Sequence, residues 1–198
     1  MFCIDRFYPD WRNLVIHESS PVHRGASLRL SQECNYYLPS QFFPGRQKGE
    51  LIDGVLCENL EDLSFPSSSI DLHITQDVME HVFAPEKAFK EIARTLKPGG
   101  AHIFTVPLVN KNLRSERCAI LNDDGTIKLL KTPPEYHGNP LSEEGSLVTW
   151  RWGYDITRHI LEACSLFTQT IYEVWWDDAK YRPCTNSQNT GDCTSSFN

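Results

Sequence analysis

The sequence predicts an α/β fold with a doubly wound, mostly parallel sheet, and residues 70–107 carry that prediction. The segment opens with apolar residues at alternate positions, and apolar residues then recur at helical spacing from Pro85 onwards. The Lys-Pro-Gly-Gly run at 97–100 ends the helix, because proline cannot continue it, and residues 101–106 form a second apolar run. Two strands joined through one helix imply a parallel pair with a right-handed crossover.

The other elements are predicted in order along the chain. They are strands at 13–17, 34–38 and 167–176, and helices at 26–32 and 156–164, the last capped by Asp155. A β-hairpin at 118–130, with Asp124-Gly125 in its turn, is an insertion after the fifth strand and is expected to cover the carboxyl edge of the sheet as a lid. We expect one domain over 1–179, with the hairpin or lid insertion at 109–140, and a disordered polar tail at 180–198.

Composition excludes several classes of protein. The 198 residues are 40% hydrophobic, enough for one core, and the net charge of −7 disfavours a nucleic-acid surface, which needs clustered Lys and Arg. No apolar run approaches the roughly 20 residues that span a bilayer, and the first residues do not resemble a signal peptide, so we expect a cytoplasmic protein without membrane contact. The seven cysteines show no CxxC spacing, and no metal site is predicted.

Three segments together resemble the middle of a class I S-adenosylmethionine-dependent methyltransferase of the type 11 kind. They are LSFPSSSID at 63–71, DVMEHV at 77–82 and LKPGG at 96–100, and the resemblance extends over 57–107. It implies a Rossmann-like sheet, S-adenosylmethionine as cofactor, and methyl transfer to an oxygen, nitrogen or sulfur nucleophile of an acceptor. We expect a small-molecule acceptor, although the resemblance does not select one.

The first motif departs from the family, which has an acidic residue and a glycine-rich turn at this point. This chain has HESSP at 17–21, and its first glycine is Gly25. S-adenosylmethionine has no phosphate, so Glu18 can meet its ammonium group while Ser19 and Ser20 meet its carboxylate. The alternative is that the two serines only form a turn and a helix cap.

The resemblance also implies positions for the ribose and adenine of the cofactor. No acid follows the second strand, so Ser40 or Gln41 would make weaker neutral hydrogen bonds to the ribose. Asn59 occupies the place of the residue that contacts the adenine amino group, and Leu60 would donate its backbone N–H to the ring. Gln76 ends a strand where open sheets bind ligands. For Asn59, a plain surface turn is the alternative.

The acceptor side is assigned more loosely. His81 and His137 are the candidates for a general base, with helix-face packing and a surface loop as their alternatives. Tyr136, Trp152 and Tyr154 are expected to form walls of the acceptor pocket.

Two alternatives stay open on the sequence alone. Asp77 and Glu80, three residues apart at a strand-to-helix junction, fit a capping box that needs no substrate. The absent glycines also allow a non-catalytic methyltransferase-like binding or interaction domain. Independently of that choice, an exposed sheet edge would allow a homodimer. A nucleotide enzyme of another kind is disfavoured, because no phosphate-binding glycine loop is present.

Overall fold

The computed structural model describes residues 1–139 and 142–171 of the chain. Its helices are α1 (Phe2–Phe7), α2 (Gly25–Glu33), α3 (Pro85–Thr95) and α4 (Ile156–Cys164). The central strands are β1 (Val15–Ser19), β2 (Tyr36–Gln41), β3 (Leu51–Ile52), β4 (Val55–Cys57), β5 (Ile70–Gln76) and β6 (Leu96–Thr105). Shorter strands pair as β7 (Glu116–Arg117) with β12 (Trp150–Arg151), β8 (Ala119–Leu121) with β9 (Ile127–Leu129), and β10 (Tyr136–Asn139) with β11 (Ser142–Leu147).

The central sheet has the strand order β3-β4-β2-β1-β5-β6. Every neighbouring pair in it is parallel except β3 with β4. The predicted α/β fold with a mostly parallel sheet is confirmed. Because β1 lies between β2 and β5, the chain runs outward from β1 in both directions, and the carboxyl ends of these strands open a crevice between them.

Two hydrophobic cores, one on each face of the sheet, explain why helices cover both sides. The first core joins the amino-terminal segment, α2 and the sheet through Ile4, Trp11, Ile16, Leu30, Leu72 and Ile74. The second joins α3, α4 and the segments around them through residues that include Met79, Phe89, Ile92, Trp152, Ile156 and Ile160. Each fully buried side chain of this size contributes about 1.5–3 kcal/mol relative to exposure.

Helix α3 begins at Pro85, as predicted, and buries Ala88, Phe89 and Ile92 on one face. Helix α3 ends at Thr95, just before the Lys-Pro-Gly-Gly run, as predicted, and β6 begins at Leu96 and includes that run. The pairing of β5 with β6 shifts between Ile70 and Leu72, whose partners are Leu96 and Ala101. Residues 97–100 therefore form an irregularity inside β6. A Cβ on Gly100 would lie 2.7 Å from the carbonyl oxygen of Asp71, which explains the glycine there.

The predicted hairpin is present as β8 and β9, with the left-handed Gly125 in its turn. The inserted region is fastened to the loop that follows β5. The backbone N–H groups of Thr149 and Trp150 donate to the Glu80 carbonyl at 2.8 and 3.1 Å, and Arg117 Nη2 donates to the Phe83 carbonyl at 2.6 Å. The insertion therefore lies beside the carboxyl end of β5.

Both predicted capping roles are wrong. Asp155 precedes α4, but its Oδ1 accepts hydrogen bonds from the backbone N–H and hydroxyl of Ser115, at 3.0 and 2.6 Å. Asp77 has a left-handed φ of 52° and accepts a hydrogen bond from Thr105 Oγ1 at 3.1 Å. The next helix begins only at Pro85, so Asp77 and Glu80 form no capping box.

The carboxyl-terminal predictions are tested only in part. Residues 167–171 form no strand, and the rest of the strand predicted at 167–176 lies outside the described residues, as does the tail at 180–198. Across the described part of the chain, every helix is too short or too polar to cross a membrane.

Candidate cofactor and acceptor site

The crevice between β1 and β5 is built around Glu18, which is wholly buried at the end of β1. Its Oε1 accepts hydrogen bonds from Ser27 Oγ at 2.6 Å and from Gln76 Nε2 at 2.7 Å. Its Oε2 accepts one from the Tyr37 hydroxyl at 2.6 Å, and burial together with this carboxylate raises the pKa of Tyr37. Glu18 thus links β1, α2, β2 and β5 at the point where the crevice opens.

A row of buried polar groups crosses the sheet next to Glu18. His17 Nε2 lies 2.7 Å from Ser40 Oγ, and the Nδ1 atoms of His17 and His73 lie 2.8 Å apart. His73 Nε2 then lies 2.7 Å from Thr95 Oγ1 on α3. Burial lowers the pKa of His73 to about 3, and burial followed by the nearby His73 lowers that of His17. Ser40, predicted to bind ribose, points its hydroxyl at His17 inside the protein.

The loop from β1 to α2 takes the place of a glycine-rich turn. Ser20 has a left-handed φ of 56°, and its N–H donates to the Ser40 carbonyl at 2.7 Å. Helix α2 then begins at Gly25 without a capping side chain. A Cβ placed on Gly25 would meet no atom within 4 Å, so the space beside the first helical residue is open among the described residues. The N–H groups of a first helical turn suit a carboxylate.

The other predicted cofactor residues lie at the carboxyl ends of β2, β4 and β5. Gln41 and Gln76 are half-buried, and the Gln76 amide is already bonded to Glu18. Asn59 Oδ1 accepts a hydrogen bond from the backbone N–H of Glu61 at 2.9 Å, which is the turn considered as its alternative. Leu60 is buried in the core, leaving its backbone as the part that a ligand could contact.

A second polar cluster joins Glu80 and His81, in the loop after β5, to His137 on β10. Glu80 Oε1 lies 3.9 Å from His81 Nε2 and 3.5 Å from His137 Nδ1. The two imidazole rings meet edge to face, with centroids 5.2 Å apart. The Glu80 side chain is only 2% exposed, and among the described residues neither of its oxygens has a hydrogen-bond partner. Burial raises the pKa of Glu80 to about 8.

The outer nitrogen of each histidine in this cluster faces an oxygen. His81 Nδ1 donates to the Leu147 carbonyl at 2.8 Å, and burial lowers the pKa of His81. His137 Nε2 lies 3.5 Å from Glu135 Oε1, and Arg151 holds Glu135 Oε2 with two hydrogen bonds at 3.0 and 2.6 Å. The sequence analysis named both histidines but missed Glu80 as their partner, because His137 lies far from it along the chain.

The three aromatic residues assigned to the acceptor pocket lie in different surroundings. Tyr136 and Tyr154 are 52% and 44% exposed, which leaves their rings free to contact a ligand. Trp152 is fully buried and stacks on Trp150, with centroids 5.0 Å apart and ring planes 9° apart. A cavity of about 590 Å³ runs along β6 and is bordered by both Gln76 and Tyr154.

The chain was compared with protein-family models and with solved structures. Residues 41–104 match the family model described as a methyltransferase domain. The resemblance to the class I methyltransferases is confirmed. An S-adenosylmethionine-dependent methyltransferase from Mesorhizobium loti superposes with a TM-score of 0.50 at 17% identity, over 81% of this chain and 78% of that one. This likeness supports the methyltransferase fold.

Two further structures are similar at lower scores. A protein of Listeria monocytogenes proposed to be an S-adenosylmethionine-dependent methyltransferase gives a TM-score of 0.45 at 12% identity, covering 77% of this chain and 78% of that one. A protein of Bacillus halodurans proposed to be a methyltransferase gives 0.37 at 13% identity over 57% of this chain, which spans only 44% of its length. Comparison with curated protein sequences gives no significant match.

Proposed function

We propose that this protein is an S-adenosylmethionine-dependent methyltransferase that methylates an oxygen, nitrogen or sulfur nucleophile of a small-molecule acceptor. The observation that carries the proposal is the crevice at the carboxyl ends of β1 and β5, where Gln76 Nε2 donates to Glu18 Oε1 at 2.7 Å. Open parallel sheets bind their ligands at this kind of topological switch point. The family match over 41–104 supports the same conclusion.

The donors around the crevice suit a ligand without phosphate. The uncapped amino terminus of α2, with the backbone of Ser19 and Ser20, would receive the carboxylate of the methionine part. A carboxylate offers about four acceptor sites and Glu18 uses three of them, which leaves one for the ammonium group. Gln41 would meet the ribose, and the Asn59-Leu60 turn would meet the adenine.

The bound cofactor supplies a methyl group already activated on a sulfonium. The chain's residues therefore have to align the acceptor and exclude water. Tyr136 and Tyr154 have exposed rings that could contact the acceptor. His81 and His137 are the candidate bases, and the lowered pKa of His81 keeps its ring neutral at pH 7, the form that accepts a proton.

A second candidate function is a binding module with the same fold and no catalysis. One observation favours it, namely that Glu18 has no exposed surface and its three hydrogen bonds are complete without a ligand. Titration with the cofactor separates the two functions, because only a methyltransferase requires that cofactor.

The test is isothermal titration of the purified chain with S-adenosylmethionine and S-adenosylhomocysteine, with adenosine diphosphate as the control ligand. We expect both sulfur compounds to bind with micromolar Kd and the diphosphate not to bind. Gln41→Ala should weaken binding about threefold to tenfold, the loss of one neutral hydrogen bond. Gln32→Ala, an exposed glutamine on α2, is the matched control and should leave Kd unchanged.

Absence of binding at millimolar ligand, by protein with the circular dichroism of a folded α/β domain, would contradict the methyltransferase proposal. That result would favour the binding module. An equal loss of cofactor affinity in Gln41→Ala and Gln32→Ala would show that Gln41 does not contact the cofactor. It would not contradict the other parts of the proposal.

A further inference from the structure

Glu80 is a buried carboxylate whose surroundings are incomplete. Its side chain is 2% exposed, yet neither oxygen has a hydrogen-bond partner among the described residues. Buried polar groups in folded proteins are nearly always paired, because an unpaired one costs about 1–3 kcal/mol, and more when it is charged. Glu80 faces two imidazole rings, and a cation between the three side chains would give its oxygens the partner that they lack.

The three ligand atoms are close enough to share one ion. Glu80 Oε1, His81 Nε2 and His137 Nδ1 all lie within 4.8 Å of one another, and two of the separations are 3.9 and 3.5 Å. Ligands about 2.1 Å from a tetrahedral zinc ion lie about 3.4 Å apart. A small rotation of His137, which is 35% exposed, would shorten the distances from its ring to the other two ligands.

The hydrogen bonds behind the rings leave the correct nitrogens free. His81 Nδ1 must carry a proton, since its partner is the Leu147 carbonyl, and so the lone pair is on Nε2, which faces Glu80. His137 Nε2 faces the Glu135 carboxylate, leaving Nδ1 for the ion. Metal-binding histidines in known proteins commonly donate their other N–H to a carbonyl or carboxylate in this way.

We propose that Glu80, His81 and His137 bind one divalent first-row transition cation, with Zn²⁺ as the ion to test. Two imidazole nitrogens and one carboxylate oxygen suit zinc or iron better than magnesium or calcium, which prefer oxygen alone. Three protein ligands leave a fourth position open, as in catalytic rather than structural zinc sites. The ion would also join the loop after β5 to strand β10 of the insertion.

The ion changes what the two histidines can do in the proposed methyl transfer. A bound cation uses the lone pairs of His81 Nε2 and His137 Nδ1, so neither ring can then act as a general base. An acceptor hydroxyl or thiol at the open position would instead lose its proton more readily because of the positive charge. This consequence rests on the proposed function, whereas the metal site itself does not.

The experiment measures zinc binding directly. The full chain is stripped with EDTA, loaded with Zn²⁺, and analysed for bound metal by mass spectrometry and for Kd by competition with a chromogenic indicator. We expect one zinc per chain at this site. His137→Ala and Glu80→Gln should each weaken binding more than about 100-fold, and Glu135→Gln about 10-fold to 100-fold through the loss of an outer partner.

His159→Ala is the matched control. His159 is 33% exposed and lies 3.9 Å from a carboxylate oxygen of Asp155, so it resembles His137 in exposure and in facing a carboxylate. Among the described residues, no second histidine and no unpaired glutamate completes a site with it. Its zinc Kd should stay within about twofold of the unmodified chain, since no ligand is lost. Near-ultraviolet circular dichroism identifies any variant that has not folded, and His137→Ala is the safest variant because its side chain is partly exposed.

Two results would overturn the metal site: no zinc retained by the unmodified chain, or undiminished zinc affinity in folded His137→Ala and Glu80→Gln. The same preparations are titrated with S-adenosylmethionine. Zinc binding without cofactor binding contradicts only the proposed function, and cofactor binding without zinc binding contradicts only the metal site.

Discussion

Two buried glutamates, one near the end of β1 and one in the loop after β5, differ in their hydrogen-bond partners. Glu18 is wholly buried and accepts hydrogen bonds from Ser27, Tyr37 and Gln76. Glu80 is 2% exposed and has no hydrogen-bond partner among the described residues. Glu18 thus has three donors within the fold, whereas Glu80, in the cluster between the loop and the insertion, has none among the described residues.

This difference predicts different contributions of the two glutamates to stability. A buried carboxylate with three donors stabilises the elements that supply those donors. An unpaired one destabilises the chain until something binds it, and folded proteins retain such groups mainly at functional sites. Substitutions in the two regions should consequently have opposite effects on stability.

The largest effect should come from acid, through the histidines of the sheet interior. Burial lowers the pKa of His73 to about 3, against an ordinary value of 6.5. Between these values the unfolded chain binds a proton that the folded chain excludes, so stability falls as pH falls below 6.5. His73 alone should cost roughly 5 kcal/mol of unfolding free energy across the full window.

Urea unfolding at pH values from 7 down to 5 measures this slope. His73→Gln should reduce the proton uptake on unfolding by about one. His23→Gln, at an exposed position in the loop before α2, should leave it unchanged. An identical slope in the His73 variant would show that the sheet interior is not the source of acid sensitivity.

The second effect is the loss of Glu18. Glu18→Ala leaves three donors, from Ser27, Tyr37 and Gln76, without their acceptor. We expect the free energy of unfolding to fall by about 3 kcal/mol or more, measured by guanidinium titration at pH 7. Glu33→Ala, at an exposed ion pair on α2, is the control and should change stability little. A Glu18 variant as stable as its control would contradict the comparison.

The smallest effect should have the opposite sign. In protein kept free of metal with EDTA, Glu80→Leu replaces an unpaired buried carboxylate with an apolar side chain of similar size. Such replacements are neutral or stabilising, and we expect a gain of about 1 kcal/mol in guanidinium unfolding. A large loss of stability would mean that Glu80 has a partner that the described residues do not reveal.

Much of the fold could be predicted because its signals are local. Pro85 and the apolar spacing after it define α3 to within one residue of its end, and the Asp124-Gly125 turn defines the hairpin. The start of β6 could not be predicted in this way. Lys97–Gly100 has the composition of a turn, and the pairing with β5 passes from Leu96 to Ala101 without it. The early start of β6 therefore depends on the long-range contact of Leu96 with Ile70.

The candidate site likewise contains residues that local signals predict and residues that depend on long-range contacts. Positions at strand ends, such as Glu18 and Gln76, follow from the order of the strands, and the structure brings these two into contact. The Glu80 cluster depends on a contact between residues 80 and 137, and no periodicity or motif encodes that distance. The capping-box interpretation of Glu80 was wrong for the same reason, since the start of the helix depends on what packs around it.

The attachment of the insertion has a consequence for the evolution of this protein. Thr149 and Trp150 attach it to the Glu80 carbonyl through their backbone N–H groups. The Thr149 hydroxyl and the Arg117 guanidinium add side-chain hydrogen bonds to the same loop. The outward positions of the β8–β9 hairpin, such as Ile127 at 50% exposure, take no part in that attachment. Substitutions there can accumulate without loosening the attachment, so the surface of the hairpin can diversify while the loop after β5 stays unchanged.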